Sequence, residues 1–183
     1  MALTPTTTRR REDLLDAVIT QVMKHPRATL AELAEAAGVG RTTLFNAYAT
    51  RRGLIRACGV RALTLVVERV EAIDTAADDG GLAALVEALI PLGSQLDFIW
   101  RTPALDDDED LAPLGARYKQ GLDRVVSAAR QRGTIRSDVP DWWAVQMVES
   151  VVYVAWQKVD DGHLAPRSAP GLATDSLLQG VGR

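Results

Sequence analysis

One cysteine and two histidines are all that this 183-residue chain holds of the softer metal ligands. Cys58 alone can form no disulfide framework, and with only His25 and His163 to help it a Cys/His metal site lacks ligands. Neither histidine sits in a recognisable motif with a serine or cysteine, so no nucleophile–base pair suggests catalysis and an enzyme is not expected. No run approaches the ~18 uncharged apolar residues of a membrane span, and no apolar signal-peptide core opens the chain. The expectation is a protein without a membrane partner or a cofactor, working in a reducing cytoplasm. Period-2 alternation is also missing, which leaves no candidate strand.

What is present is apolar and helical. Hydrophobic residues make up 47% of the chain, enough Leu, Val and Ala to offset the entropy of ordering it. The net charge of −3 hides an asymmetry: nine Lys/Arg face five acids through residue 60, and twelve face nineteen beyond it. A basic N-terminal third on an acidic body suits an anion-seeking module attached to something else.

Helical periodicity places the elements. Leu14, Leu15, Val18, Ile19, Val22 and Met23 form one apolar stripe of a helix from residue 8 to 24, after an arm of residues 1–7. Thr29 and Glu32 form a capping box that starts a second helix, which carries Leu30, Leu33, Ala34 and Ala37 inward and stops at Gly38. A third helix covers 41–48, and Thr50 caps a fourth running to about residue 76, before a linker at 78–81. Further helices are expected over 82–100 with a bend at Pro91, over 113–132 and over 141–160, with a short one at 172–178.

The second and third helices, joined by Gly38-Val39-Gly40, have the pattern of a helix-turn-helix. Gly38 can take the left-handed backbone that the turn needs, and Val39 can fill the space between the helices. With Leu44 and Tyr48 inward, Arg41, Thr42, Thr43, Phe45 and Asn46 face outward, small enough and polar enough for a major groove. An ordinary helical hairpin with a polar face has the same pattern.

Residues 28–57 add something more specific. The capped Thr29, the Leu-Ala-Glu-Ala-Ala-Gly-Val turn, Thr43-Leu44-Phe45 and the basic Arg51 before Leu54 resemble the DNA-binding signature of TetR-family transcriptional regulators. The resemblance implies an all-α chain with a DNA-binding domain over 1–55 and a C-terminal ligand-binding and dimerisation domain over 56–183. It implies contact with double-stranded operator DNA by Thr29, Arg41, Thr42, Thr43, Phe45, Asn46, Tyr48 and Arg51, the last in place of a usual lysine that meets phosphate. Gly40 stands where a capping serine is common and Ala49 where proline is frequent. Arg9-Arg10-Arg11 reads either as an arm reaching phosphate or minor groove or as a solvated basic helix start.

The body is expected to pair two copies and to take a ligand. Helix 141–160 is apolar round nearly its whole circumference, so it needs cover on more than one side; in the resemblance it and helix 113–132 build the homodimer interface. Three of the four tryptophans fall within 142–156, with Gln95, Gln146 and Gln157 as polar handles, which suits a small hydrophobic effector. Tyr118, Met147 and Trp156 are the candidate pocket residues. The expected function is a repressor released by that effector, the alternative an activator or a DNA-binding protein without one. Asp106–Asp110 lacks the glycine and glutamate of a calcium loop, having Leu111 and Arg117 at its sixth and twelfth positions, and is expected to be solvated.

Overall fold

The computed structural model describes residues 5–102, 105 and 108–182, with the backbone alone for 5–10 and 181. Its helices are α1 (Pro5–Lys24), α2 (Leu30–Ala36), α3 (Arg41–Tyr48), α4 (Arg51–Glu71), α5 (Leu82–Leu89), α6 (Gly93–Trp100), α7 (Ala112–Gln131), α8 (Asp141–Asp160) and α9 (Ala169–Val181). Among the described residues the only β pairing is an isolated bridge between Ile135 and Gly182.

α1 starts at Pro5, earlier than its stripe suggests, because proline's fixed φ and missing N–H are tolerated in a first helical turn. Residues 1–4 of the expected arm lie outside the described residues. Leu15, Val18, Ile19 and Val22 are buried and carry α1 against α2, α4 and α6. Asp16 and Glu12 of α1 pair with Arg61 of α4, at 3.0 and 3.5 Å.

The capping box forms as the spacing predicts: Thr29 Oγ1 accepts from the Glu32 amide, and Glu32 Oε2 accepts from the Thr29 amide. Gly38 takes φ +67°, a left-handed conformation costly for a residue with a Cβ, and Val39 tucks half-buried against the core. Gly40 is the N-cap of α3 and supplies no side-chain bond. Between α3 and α4, Ala49 has φ +40°, and its neighbours close a γ-turn through the Thr50 amide and the Tyr48 carbonyl.

α4 is the central rod, touched by α1, α3, α5, α6 and α7. It ends at Glu71, five residues short of the periodicity, because α7 claims its last carbonyls. Arg124 donates from Nη2 to the Val70 and Glu71 carbonyls, 2.9 and 3.3 Å, and from Nη1 to that of Ile73, 3.1 Å. The expected linker at 78–81 is a built turn. Asp79 accepts from the Gly81 and Ala83 amides at 2.9 and 2.7 Å, capping α5. Cys58 lies in the core, where burial pushes its thiol up to about 12, as suits a small buried hydrophobe.

Pro91 breaks the 82–100 run as expected, into α5, a 3-10 turn Ile90–Leu92 and α6. Leu82–Trp100 is long and apolar enough to cross a membrane by composition, with mean hydropathy 1.5, yet more than half of it is buried inside the fold. α9 begins at Ala169 rather than 172 and runs for 13 residues, packing along α8 and α5. Pro170 falls in its first turn, so the proline that obscured its start in the sequence is compatible with it.

Candidate functional site

The basic third of the chain presents one short polar helix face. Leu44 and Tyr48 anchor α3 inward, and Arg41, Thr42, Thr43, Phe45, Asn46 and Ala47 are exposed. The Arg41 guanidinium lies 5.4 Å from the centre of the Phe45 ring, a stacking that orders both side chains on the surface. Phe45 is 37% exposed, unusual for a large apolar residue on a helix of eight. An aromatic ring, a guanidinium, two hydroxyls and an amide thus share a face whose scaffold is rigid beneath.

The remaining DNA-contact candidates have partners of their own. Tyr48 is buried, and its hydroxyl accepts from Arg11 Nε at 3.2 Å while the Arg11 guanidinium covers its ring at 5.7 Å. It supports the exposed face from below. Thr29 sits at the start of α2, with its hydroxyl donating to Glu32 Oε2 at 2.8 Å. The Thr29 amide and hydroxyl hold the Glu32 carboxyl below its usual range. Arg51, expected to meet phosphate, donates from Nε to the Ala28 carbonyl at 2.9 Å and from Nη2 to that of Pro26 at 2.7 Å. It fastens the α1–α2 turn to the first residue of α4. Beside that turn, Lys24, His25 and Arg27 border a surface hollow of about 670 Å³. Arg11 is the member of the triple-arginine run whose side chain is described; those of Arg9 and Arg10 lie outside the described residues.

The acidic segment is less free than its composition suggests. Asp108 Oδ2 accepts from Arg56 Nε of α4 at 2.8 Å, and Asp110 pairs with the same guanidinium. Asp106 and Asp107 lie outside the described residues.

The three candidate pocket residues lie on different sides of α7 and α8. Tyr118 is buried on α7, its hydroxyl donating to Glu149 Oε1 of α8 at 3.1 Å. Trp156 is half-buried with its indole against Gly93, and its ring centre lies 5.8 Å from that of Tyr153. Met147 is two residues before Glu149 and therefore on the opposite side of α8. The cleft nearest to them, about 330 Å³, is lined by Trp100, Gln146, Glu149, Ser150 and Tyr153. Burial raises the Glu149 carboxyl above its usual value, partly offset by donors from Tyr118 and Gln146. Sequence reasoning passed over Glu149, although an acid flanked by Trp142, Val148, Val151, Val152 and Tyr153 was a signal in itself.

The two helices expected to form the pairing surface differ in what they expose. The outward side of α7 is polar, with Lys119, Gln120, Asp123 and Arg124 exposed. Exposed apolar groups gather instead on α8 and α9, where Trp143, Val154 and Leu172 are 48%, 53% and 56% exposed. A groove of about 440 Å³ between these helices is lined by Val151, Val154, Ala155, Leu164, Leu172 and Ala173 among others. The extra length of α9, hidden from the periodicity by glycine and proline, supplies the second wall of this groove.

Known proteins share this arrangement. The chain is 30% identical over 175 residues to the HTH-type transcriptional repressor LfrR of Mycolicibacterium smegmatis, covering 94% of this chain and 90% of the relative. It is 29% identical over 150 residues to the HTH-type transcriptional regulator NfxB of Pseudomonas aeruginosa, 78% of each protein. The crystal structure of the TetR-like regulator LfrR from Mycobacterium smegmatis in complex with proflavine superposes with a TM-score of 0.73 at 27% identity, over 95% of this chain and 97% of that one. No family model matches the chain.

Proposed function

We propose that this chain, which belongs to the TetR family of transcriptional regulators, represses transcription as a homodimer and leaves its operator when a small hydrophobic molecule enters the body. It is a DNA-binding transcriptional regulator rather than an enzyme. The observation that carries the reading is the exposed α3 face, with Arg41 stacked over Phe45 beside Thr42, Thr43 and Asn46, held above buried Leu44 and Tyr48. On this reading those five side chains meet base edges and nearby phosphates, and the Thr29 end of α2 faces a phosphate. Tyr48 and Arg51 hold the reading helix in place, and each keeps donors that the bonds described above do not use, the Tyr48 O–H and the Arg51 Nη1 group.

A single module reads too few bases to find one site in a genome. The apolar surface of α8 and α9 supports a two-fold dimer, which sets two α3 helices about 34 Å apart along one face of a duplex. The division into a DNA-binding unit over 1–55 and a body over 56–183 falls within α4. That unbroken helix then carries changes in the body to α3. The relative solved with proflavine supports a small-molecule effector, and we place the protein in the cytoplasm, where its operator is.

Gel shifts with DNA from upstream of the chain's own gene test the reading. Binding should weaken steeply between low and high salt, and a reporter on the same promoter should rise when the gene is deleted. A reporter that falls on deletion would make the protein an activator.

A further inference from the structure

The connection between α6 and α7 crosses the first half of α4 and is fastened to it twice. Leu105 and Leu111 are buried over Gly59, so close that a Cβ on that glycine would lie 2.9 Å from one Leu105 methyl and 3.3 Å from one of Leu111. Gly59 is therefore a notch that fixes where the connection lies. One turn nearer the reading helix, Asp108 Oδ2 accepts from Arg56 Nε at 2.8 Å, and Asp110 pairs with another nitrogen of the same guanidinium. Asp108 is itself held in place. Its second oxygen accepts from the Asp110 amide at 3.1 Å, and its carbonyl accepts from the Leu111 and Ala112 amides where α7 begins.

What these acids hold is a cation near the DNA-binding unit. Arg56 follows Arg52 by four residues and shares its face of α4, and only Ala49 and Thr50 separate α4 from α3. Side chains on a helix lean toward its N-terminus, which for Arg56 is the end that meets α3. A gap of about 140 Å³, lined by Arg51, Arg52, Ile55, Arg56, Leu105 and Asp108, leaves the guanidinium room to turn that way. The Arg56 side chain is 41% exposed and that of Asp110 74%, and an ion pair so open to water is weak.

We propose that Arg56 is a phosphate-contact residue held in reserve: Asp108 and Asp110 occupy its guanidinium, and once they withdraw it turns along α4 to the DNA backbone. The proposal rests on the chain's being a DNA-binding regulator. Because the two acids belong to the body and Arg56 to the rod that carries α3, the pair makes DNA affinity depend on where the α6–α7 connection sits.

Anisotropy titrations of the full chain over a salt series provide the test, with one duplex from upstream of its own gene and one unrelated duplex. Asp108→Asn/Asp110→Asn should bind both at least about threefold more tightly at low salt, and should steepen the fall of log affinity with log salt by about one per protomer. Adding Arg56→Gln should cancel both gains, and Arg56→Gln alone should stay within about twofold of wild type. Glu109→Gln removes a charge between the two acids without releasing Arg56, and should keep the wild-type slope. If melting curves show the double variant unfolded, Asp110→Asn alone, at an exposed position, should give part of the gain. An unchanged slope in the folded variant would overturn the proposal, as would a gain that survives Arg56→Gln or that Glu109→Gln reproduces. A loss of about tenfold from Arg56→Gln alone would also overturn it, since Arg56 would then be in use already. Wild-type protein that binds both duplexes equally would remove the operator reading and leave this comparison standing, because a phosphate contact carries no sequence. Binding to neither duplex would remove both.

Discussion

The indole of Trp156 rests on Gly93 so closely that a methyl group there would overlap its ring. The contact joins the start of α6 to α8 and passes Trp156 along to Tyr153, the wall of the cleft. Gly93→Ala must displace the indole, and overpacking of this kind costs about 1–3 kcal/mol. Chemical denaturation should show that loss, with a changed tryptophan emission in the folded state. Wild-type stability and emission in the variant would show that the contact yields freely.

Arg51 distinguishes a clasp from a phosphate contact. Arg51→Ala removes two hydrogen bonds to the Pro26 and Ala28 carbonyls, for a loss of roughly 1–3 kcal/mol. Operator affinity should fall with it. Arg51→Lys keeps the charge but cannot reproduce the forked geometry. We expect the lysine variant to melt like the alanine variant and to bind operator less well than wild type. Full affinity with lysine, and a salt dependence lost only with alanine, would assign Arg51 to phosphate instead.

Two neighbouring valines separate core from interface. Val152 is fully buried, so Val152→Glu places an unpaired charge in the core and should unfold the chain. Val154 is half exposed on the apolar side of α8, and Val154→Glu should leave the fold intact while splitting dimers. Sedimentation and circular dichroism together read both effects. A Val154→Glu protein that remains a dimer would remove this surface from the interface.

Glu149 gives the stability a pH dependence of known sign. Its carboxyl is raised in the folded protein, chiefly by burial, against the lowering effect of Tyr118 and Gln146. The folded state therefore holds this proton more tightly than the unfolded chain does. Stability from this group is present below the ordinary carboxylate range and is lost as pH rises through the raised value. Glu149→Gln should flatten that decline in melting temperature between acid and neutral pH. An unchanged slope would mean that the folded carboxyl titrates as in the unfolded chain.

Local signals explain why the N-terminal third was so legible. A capping box, a left-handed glycine and an apolar stripe depend on residues within a few positions of one another, and Thr29, Gly38, Leu44 and Tyr48 all stand where spacing puts them. What was hidden depends on distant partners. α4 stops early because Arg124, more than fifty residues on, takes its carbonyls. Arg51 was assigned by its position in a motif, while its hydrogen bonds depend on where the α1–α2 turn lies in space. The apolar side of α8 is identified only once α9 is seen to cover part of it.

Arg51 also determines what kind of motion can reach the reading face. Since it ties the α1–α2 turn to the head of α4, the recognition helix and its supports swing with that rod as one stiff block. With 21 residues, α4 is about 32 Å long, so a tilt of only about 5° about its distal end sweeps the block by roughly 3 Å. In a two-fold pair the displacement is doubled when both arms open. On the proposed reading the spacing between reading heads works as a vernier: a modest rotation inside the body would become a misfit of nearly two base-pair steps on the duplex, with neither head losing its shape.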